Sequence, residues 1–320
     1  MIRTFFIRRK KHSESINSFP AFSVLELHGL FLKEGETIYQ PLRRLIRFEA
    51  YGILFILAGL FGALLASSLV NSYLALLVLF IAASSAFGFV INDISDRFLD
   101  ARSAQPRNPL ADGSLSCRTA YVVSALLLVL SLACMALLPP PLLWIEGSVL
   151  FVFVTYSFFI EAKNIAGLDL VYHALFPALY GLLGYLLYHQ PDLTGLVFFI
   201  LLGIFGAVGE LANEIRDLEK DRYERRNTVV VTGERPAFLL MMALMGIAFG
   251  IIGIFACIVP GYFWLLPFVP LGIILVHPVF KAMNGEGYRE KFVDAINFRA
   301  IVLAVAMIAV YGSLRLSLIL

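Results

Sequence analysis

Apolar residues come in runs of about twenty along most of the chain, separated by short polar stretches. About 20 consecutive apolar residues cross the hydrocarbon core of a bilayer as a helix. Spans are expected at about 48–69, 73–95, 119–138, 142–161, 168–188, 195–215, 237–258, 262–281 and 294–314. Backbone polar groups must be satisfied inside each span, and the residue-by-residue alternation of a membrane barrel is absent. Short turns at Asn71, Pro139-Pro140-Pro141, Pro191-Asp192 and Pro260-Gly261 join the spans on one side, and longer polar loops join them on the other. The pattern predicts a polar N-terminal tail over 1–47 and a transmembrane domain over 48–320.

Composition agrees. The chain is 60% hydrophobic and 15% charged, against roughly 45–50% and about 25% in soluble domains. The first residues are basic but no apolar signal segment follows them, so no cleavable leader is expected. Arg8, Arg9, Lys10 and Lys11 form a basic cluster suited to anionic lipid, and Leu25 to Tyr39 is expected to hold a short interfacial helix. Cys117, Cys134 and Cys257 are scattered and read as small apolar fillers. The net charge of +2 says little, but its distribution says more. With nine spans, 24 of the 25 Lys and Arg residues fall on the side of the N-terminus, and only Arg315 does not. The positive-inside rule therefore puts the N-terminus and its loops on the cytoplasmic face.

Two of those loops begin with the same polar pattern. Asn92 to Asp100 reads Asn-Asp-Ile-Ser-Asp-Arg-Phe-Leu-Asp, and Asn213 to Asp221 reads Asn-Glu-Ile-Arg-Asp-Leu-Glu-Lys-Asp. On a helix, Asn92, Asp96 and Asp100 lie in one row, as do Asn213, Asp217 and Asp221. Each row ends an apolar run and is followed by Arg-Asn (Arg107-Asn108, Arg226-Asn227) and a later glycine (Gly113, Gly233). Acids at span ends are costly and functional by default. Repeat-related elements in two halves of a membrane protein point to one central site. The predicted fold is thus an all-α bundle of about nine helices, two pseudo-repeated halves around a central cavity. Two facing rows would make a cage of hard oxygen ligands suited to Mg²⁺ bridging to phosphate oxygens. An allylic prenyl diphosphate fits such a place, since its apolar tail needs a greasy cavity and its head needs metal and cationic side chains.

At these residues the chain resembles the UbiA superfamily of intramembrane prenyltransferases. The resemblance rests on Asn92-Asp93, Asp96 and Asp100, on Arg107 to Leu110 with Gly113-Ser114, on Asn213, Asp217 and Asp221 followed by Arg222, and on Tyr156-Ser157 leading to Lys163-Asn164. It covers about 45–315 and includes the nine spans. It implies an enzyme that transfers a polyprenyl group from its diphosphate to an acceptor and releases diphosphate. The roles implied are metal binding by Asn92, Asp93, Asp96, Asp100, Asn213, Asp217 and Asp221, with Asp93 and Glu214 able to orient their neighbours instead. Lys163, Arg107 and Arg226 would contact the diphosphate, and Tyr156 would face the carbocation or the diphosphate. Asp96, Asp217, Lys163 and Tyr156 carry the catalytic expectation. Glu161 beside Lys163, Glu214 in place of Asp and Lys220 in place of Gly depart from the pattern and leave the branch open.

An aromatic quinone precursor is the first expectation for the acceptor, with a glycerol-phosphate or sugar-phosphate acceptor as the alternative. Membrane lipid is the surrounding partner; nothing points to nucleic acid or to an obligate protein partner. Asp169 and His173 step by four and are expected to pair with each other; Glu210 is expected to pair inside the bundle in the same way, with extension of the second row one turn before Asn213 as the alternative. A cation-coupled transporter is the rival from another class, disfavoured because nearly all charge lies on one face. A CDP-alcohol phosphotransferase is a second enzyme rival, but Asp112-Gly113 is not followed by its Ala-Arg.

Overall fold

The structure, a computed structural model, describes residues 38–47, 52–67, 71–102, 107–223, 225–284 and 289–317. The basic cluster at Arg8 to Lys11 and the helix expected from Leu25 lie outside these residues, as does the side chain of Arg315. Every regular element among the described residues is helical: α1 (Tyr39–Ile46), α2 (Ile53–Ala66), α3 (Ser72–Asp100), α4 (Cys117–Leu137), α5 (Leu143–Val154), α6 (Leu168–Leu186), α7 (Leu193–Asp221), α8 (Thr228–Thr232), α9 (Glu234–Ile258), α10 (Phe268–Leu271), α11 (Ile273–Met283) and α12 (Arg289–Ser317). Seven helical stretches are long and apolar enough to cross a membrane, with α5 counted from Pro140 to Phe159 and α10–α11 inside Phe263–Met283. The two remaining expected spans are α2, which is shorter and apolar, and α6, which carries Asp169, His173 and Pro177. The end of the expected tail belongs to the fold: α1 buries Leu45 against Val90, Ile94 and Leu115.

Among these helices α6 packs on α2 and α7, α2 on α3 and α12, and α7 on α9 and α12. Lipid tails are as apolar as leucine, so such helices associate through close van der Waals packing. The α2–α6 crossing makes this explicit. A Cβ on Gly184 would stand 1.9 Å from the Gly59 carbonyl oxygen, and one on Gly62 would stand 2.1 Å from that of Gly181. Backbone meets backbone there, which only glycine allows.

The two long helices α3 and α7 are built alike. Each starts at an Asx N-cap: Asn71 Oδ1 accepts from the Tyr73 amide at 3.1 Å, and Asp192 Oδ1 from the Gly195 amide at 2.9 Å. Each runs 29 residues and ends on its acidic row. The loops that follow repeat as well. Asn108 Nδ2 donates to Asp100 Oδ2 at 3.1 Å, while its Oδ1 accepts from the Leu110 amide at 2.9 Å. Asn227 Nδ2 donates to Asp221 Oδ2 at 3.1 Å, while its Oδ1 accepts from the Val230 amide at 2.9 Å. In both halves the asparagine ties the returning loop to the last rung of its own row. Gly113 and Gly233 then turn the chain at φ +74° and +91°, where a side chain would be strained.

Candidate active site

The acidic rows converge, and side-chain cations join them. Arg225 Nη2 lies 2.9 Å from Asp96 Oδ2 in the first row, and its Nε lies 3.8 Å from Asp221 Oδ1 in the second. Lys220 Nζ, borne by α7, lies 2.7 Å from Asp100 Oδ1 on α3. Arg216 forks onto Asp217 from the next position, at 2.9 and 2.7 Å, and Arg107 is near enough to lower the cost of that charge. Without such cations the stacked carboxylates would repel one another.

Lys163 reaches the first row from a different element. After α5 the helix widens into a π-turn over Thr155–Phe159, and Glu161 takes a left-handed φ of +50°. For a non-glycine residue that conformation costs energy and persists only where the surroundings hold it. Here it starts the 3₁₀ turn Ala162–Asn164, which turns Lys163 inward. Lys163 Nζ donates to Asp96 Oδ1 at 2.6 Å, to Ser95 Oγ at 2.5 Å and to Asn92 Oδ1 at 3.3 Å. Burial pushes its pKa down from the ordinary lysine value, and the Asp96 charge only partly restores it. For Arg225 the balance runs the other way: burial opposes its charge, but Asp96 and Asp221 hold it protonated above the usual range.

An apolar cavity begins directly beside this cage. His173, Glu210, Asn213 and Asn297 line its polar end; side chains of α2, α7, α9 and α12 line its length; Tyr262 and Trp264 lie at the other end. Asn213, the first rung of the second row, is therefore also part of the cavity wall, and its Nδ2 donates to Glu210 Oε2 at 3.4 Å. Tyr156 packs edge-on to His173 at 5.1 Å and Phe176 at 5.7 Å between ring centroids, within reach of the charges of Glu210, Arg225 and Asp96.

Several expectations change. Asp93 was expected among the metal ligands, but it sits one position off the row and turns to Arg47, fastening the end of α1. Glu214 behaves alike in the second half: its Oε2 accepts the Val229 amide at 2.9 Å. Arg226 was expected at the diphosphate; it is exposed, and it is its neighbour Arg225 that contacts Asp96 and Asp221. Four residues after Asp221, Arg225 could have been found by continuing the step of four beyond the helix end. Asp169 and His173 do not pair through their side chains. His173 Nε2 lies 2.9 Å from Glu210 Oε2, and the Asp169 carboxylate accepts from the Thr228 amide and hydroxyl, each at 2.6 Å.

The donor set fits a hard divalent cation: carboxylate and amide oxygens with no thiolate, and the one nearby imidazole engaged with Glu210. Among the described residues no three His, Cys, Asp or Glu side chains are already gathered around one point, because Lys and Arg groups occupy the carboxylates instead. With the Lys and Arg groups paired to phosphate oxygens instead, the carboxylates of the two rows would be available to hold the metal.

The geometry meets known proteins at this point. The model of the UbiA prenyltransferase family matches residues 53–303. The chain is 30% identical over 241 residues to a digeranylgeranylglyceryl phosphate synthase of Haloquadratum walsbyi, covering 69% of this chain and 80% of that protein. Its fold is shared with a UbiA homologue from Archaeoglobus fulgidus bound to GPP and Mg²⁺, at a TM-score of 0.69 and 18% identity over 87% of this chain and 99% of the other. The same homologue bound to DMAPP and Mg²⁺ aligns at 0.69 with 20% identity over the same shares of the two chains. The apo UbiA homologue from Aeropyrum pernix aligns at 0.66 with 17% identity over 81% and 97%.

Proposed function

We propose that this chain, which belongs to the UbiA prenyltransferase family, transfers an isoprenoid of about geranylgeranyl length from its diphosphate to a glyceryl phosphate acceptor. It is an integral, multi-pass membrane prenyltransferase. The single observation behind the proposed substrates is the shared wall: Asn213 belongs both to the second acidic row and to the polar end of the apolar cavity. A diphosphate held at the rows has its hydrocarbon tail aimed into that cavity. The cavity follows α7 from Thr194 to Asn213, about 28 Å at ~1.5 Å per residue. An isoprene unit advances an extended chain by roughly 5 Å, four bonds of about 1.5 Å in zigzag, so a four-unit chain fits with length to spare and about five units fill the cavity.

Asn92, Asp96, Asp100, Asn213, Asp217 and Asp221 would hold Mg²⁺. Bound there, it supplies Lewis-acid stabilisation of the charge that grows on the leaving diphosphate. The chain's own groups do the rest. Lys163 and Arg225 present fixed positive charge to the same oxygens in a site from which water is largely excluded, where such charge acts strongly. The bond from the allylic carbon to the diphosphate oxygen breaks with its electron pair on oxygen. The acceptor oxygen bonds to that carbon and gives its proton to the departing diphosphate. Tyr156 and Phe176 shield the polar end of the cavity from water.

The acceptor follows the name of the Haloquadratum relative, which supports the glycerol-phosphate alternative over the aromatic precursor that came first from sequence. The distribution of Lys and Arg supports a cytoplasmic site. The reading is tested by incubating membranes containing the chain with labelled geranylgeranyl diphosphate, with and without Mg²⁺, and with geranylgeranylglyceryl phosphate or 4-hydroxybenzoate. The expected product, identified by mass, is the doubly prenylated glyceryl phosphate, formed only with Mg²⁺. A prenylated benzoate alone would replace the acceptor, and no diphosphate release with any acceptor would overturn the reading.

A further inference from the structure

The loop after α7 carries three arginines, and they do not face the same way. Arg225 reaches Asp96 and Asp221, while Arg222, Arg225 and Arg226 together with Val230 and Val231 of α8 line a second pocket. Arg225 is thus a common wall, and the pocket lies one guanidinium away from Asp96 and Asp221. The charge of Arg225 is balanced by those two carboxylates. The other two arginines are not balanced in this way. Arg222 has Glu219 at 3.6 Å, with both side chains more than half exposed. Arg226 is exposed and has no carboxylate partner among the described residues. Among the described residues no acid lines the pocket, and its remaining wall is the apolar valine pair.

A positive-inside surface explains basic residues on a loop, but not their gathering around one concavity with an apolar side. We infer that this pocket binds a phosphomonoester, the phosphate of the acceptor, separately from the rows that hold the diphosphate; this rests on the glyceryl phosphate reading above. A guanidinium fork matches phosphate oxygens in pairs, so Arg222 and Arg226 offer a dianion the charge-assisted contacts that a single lysine would not. The valines take the carbons next to it. In a glyceryl phosphate the free hydroxyl is only a few bonds from phosphorus. With the phosphate on Arg222 and Arg226, the hydroxyl reaches past Arg225 toward the cage, where the allylic carbon is exposed to attack. Two anionic groups are kept apart by a cation between them.

The test uses the full chain in nanodiscs of neutral lipid, with geranylgeranyl diphosphate and geranylgeranylglyceryl phosphate varied in turn. Arg222→Gln with Arg226→Gln is expected to raise KM for the phosphorylated acceptor about tenfold or more, while KM for the prenyl diphosphate moves less than twofold. The Arg222→Lys, Arg226→Lys pair should recover part of the loss, which a misfolded loop would not. An equal rise in both KM values would assign the pocket to the diphosphate and overturn the inference. So would an unchanged acceptor KM, or an effect that appears only when anionic lipid is added, which would mark a membrane-surface contact. A wild-type protein that accepts only unphosphorylated acceptors would refute the substrate reading itself and leave the pocket without its ligand.

Discussion

Arg225 contacts Asp96 of the first acidic row and Asp221 of the second. Replacing it with glutamine removes the only side chain that touches both acidic rows among the described residues. At an effective dielectric constant of about 20, unit charges at 2.9 Å attract by roughly 6 kcal/mol and at 3.8 Å by roughly 4 kcal/mol before desolvation. Desolvation consumes much of this, and deleting one member of a buried pair costs about 3–5 kcal/mol. Asp96 keeps Lys163 at 2.6 Å after the change, which sets the expected loss at the low end, about 3 kcal/mol, or roughly two decades. The assay is diphosphate release from labelled geranylgeranyl diphosphate at saturating acceptor. Arg225→Gln should lower kcat/KM about 100-fold, and Arg226→Gln should stay within about threefold under the same conditions. Arg226→Gln falling as far as Arg225→Gln, or Arg225→Gln keeping more than a tenth of wild-type activity, would refute the argument.

Asp96→Ala and Asp217→Ala should each reduce diphosphate release by about 10³-fold or more, since each removes a rung of the cage; Asp93→Asn should leave kcat near wild type and lower thermal stability, because Asp93 holds Arg47 instead. Gly184→Ala places a methyl group 1.9 Å from the Gly59 carbonyl oxygen, and backbone cannot rotate away, so a loss of about 1–3 kcal/mol and a lower melting temperature in detergent are expected. Gly246→Ala, with open space around it, should melt like wild type. At Asp112 burial works against the charge, but hydrogen bonds from Ser114 and Arg44 outweigh it and hold the carboxyl below its usual value. A depressed carboxylate stabilises the fold above the unfolded-state pKa and loses that contribution as pH falls through the lower folded value. Hydrogen exchange of α1, corrected for intrinsic rates, should therefore speed up only below about pH 4, by less than ~1 kcal/mol for so exposed a pair.

The all-helical membrane architecture was legible because apolar run length marks spans directly. Among the described residues seven of the expected spans are long and apolar enough to cross, and α2 and α6 fall short, one in length and the other because polar groups interrupt it. The acidic rows were legible for a similar reason. A step of four needs no knowledge of tertiary structure to put Asn92, Asp96 and Asp100 on one face. What failed were the residues whose direction depends on how a loop returns. The repeated Arg-Asn pairs invite the guess that the arginine is the working residue in each. In each pair it is the asparagine that ties the loop to the last rung of its row, while Arg107 stands near Asp217 and Arg226 is exposed.

That inversion also explains why the second cage cation comes from outside the repeat. Once Asn227 is fixed to Asp221, and Thr228 and Val229 are held by Asp169 and Glu214, the residue two positions before Asn227 is forced back over the helix end. Arg225 then lands between Asp221 and Asp96, and Arg226 is exposed. The sequence paired Asp169 with His173 and gave Glu214 only a role in orienting its neighbours, because the backbone amides of Thr228 and Val229 that they hold carry no mark of identity in a string of letters. The work of these two acids is to aim Arg225. By the same reasoning, Asp93 and Glu214 occupy equivalent places in the two halves and do equivalent jobs, one fastening α1 through Arg47 and the other fastening α8 through Val229. The repeat therefore encodes two things at each copy: a row of acids that meets Arg225 at the centre and, one residue along, a clamp that holds a neighbouring element.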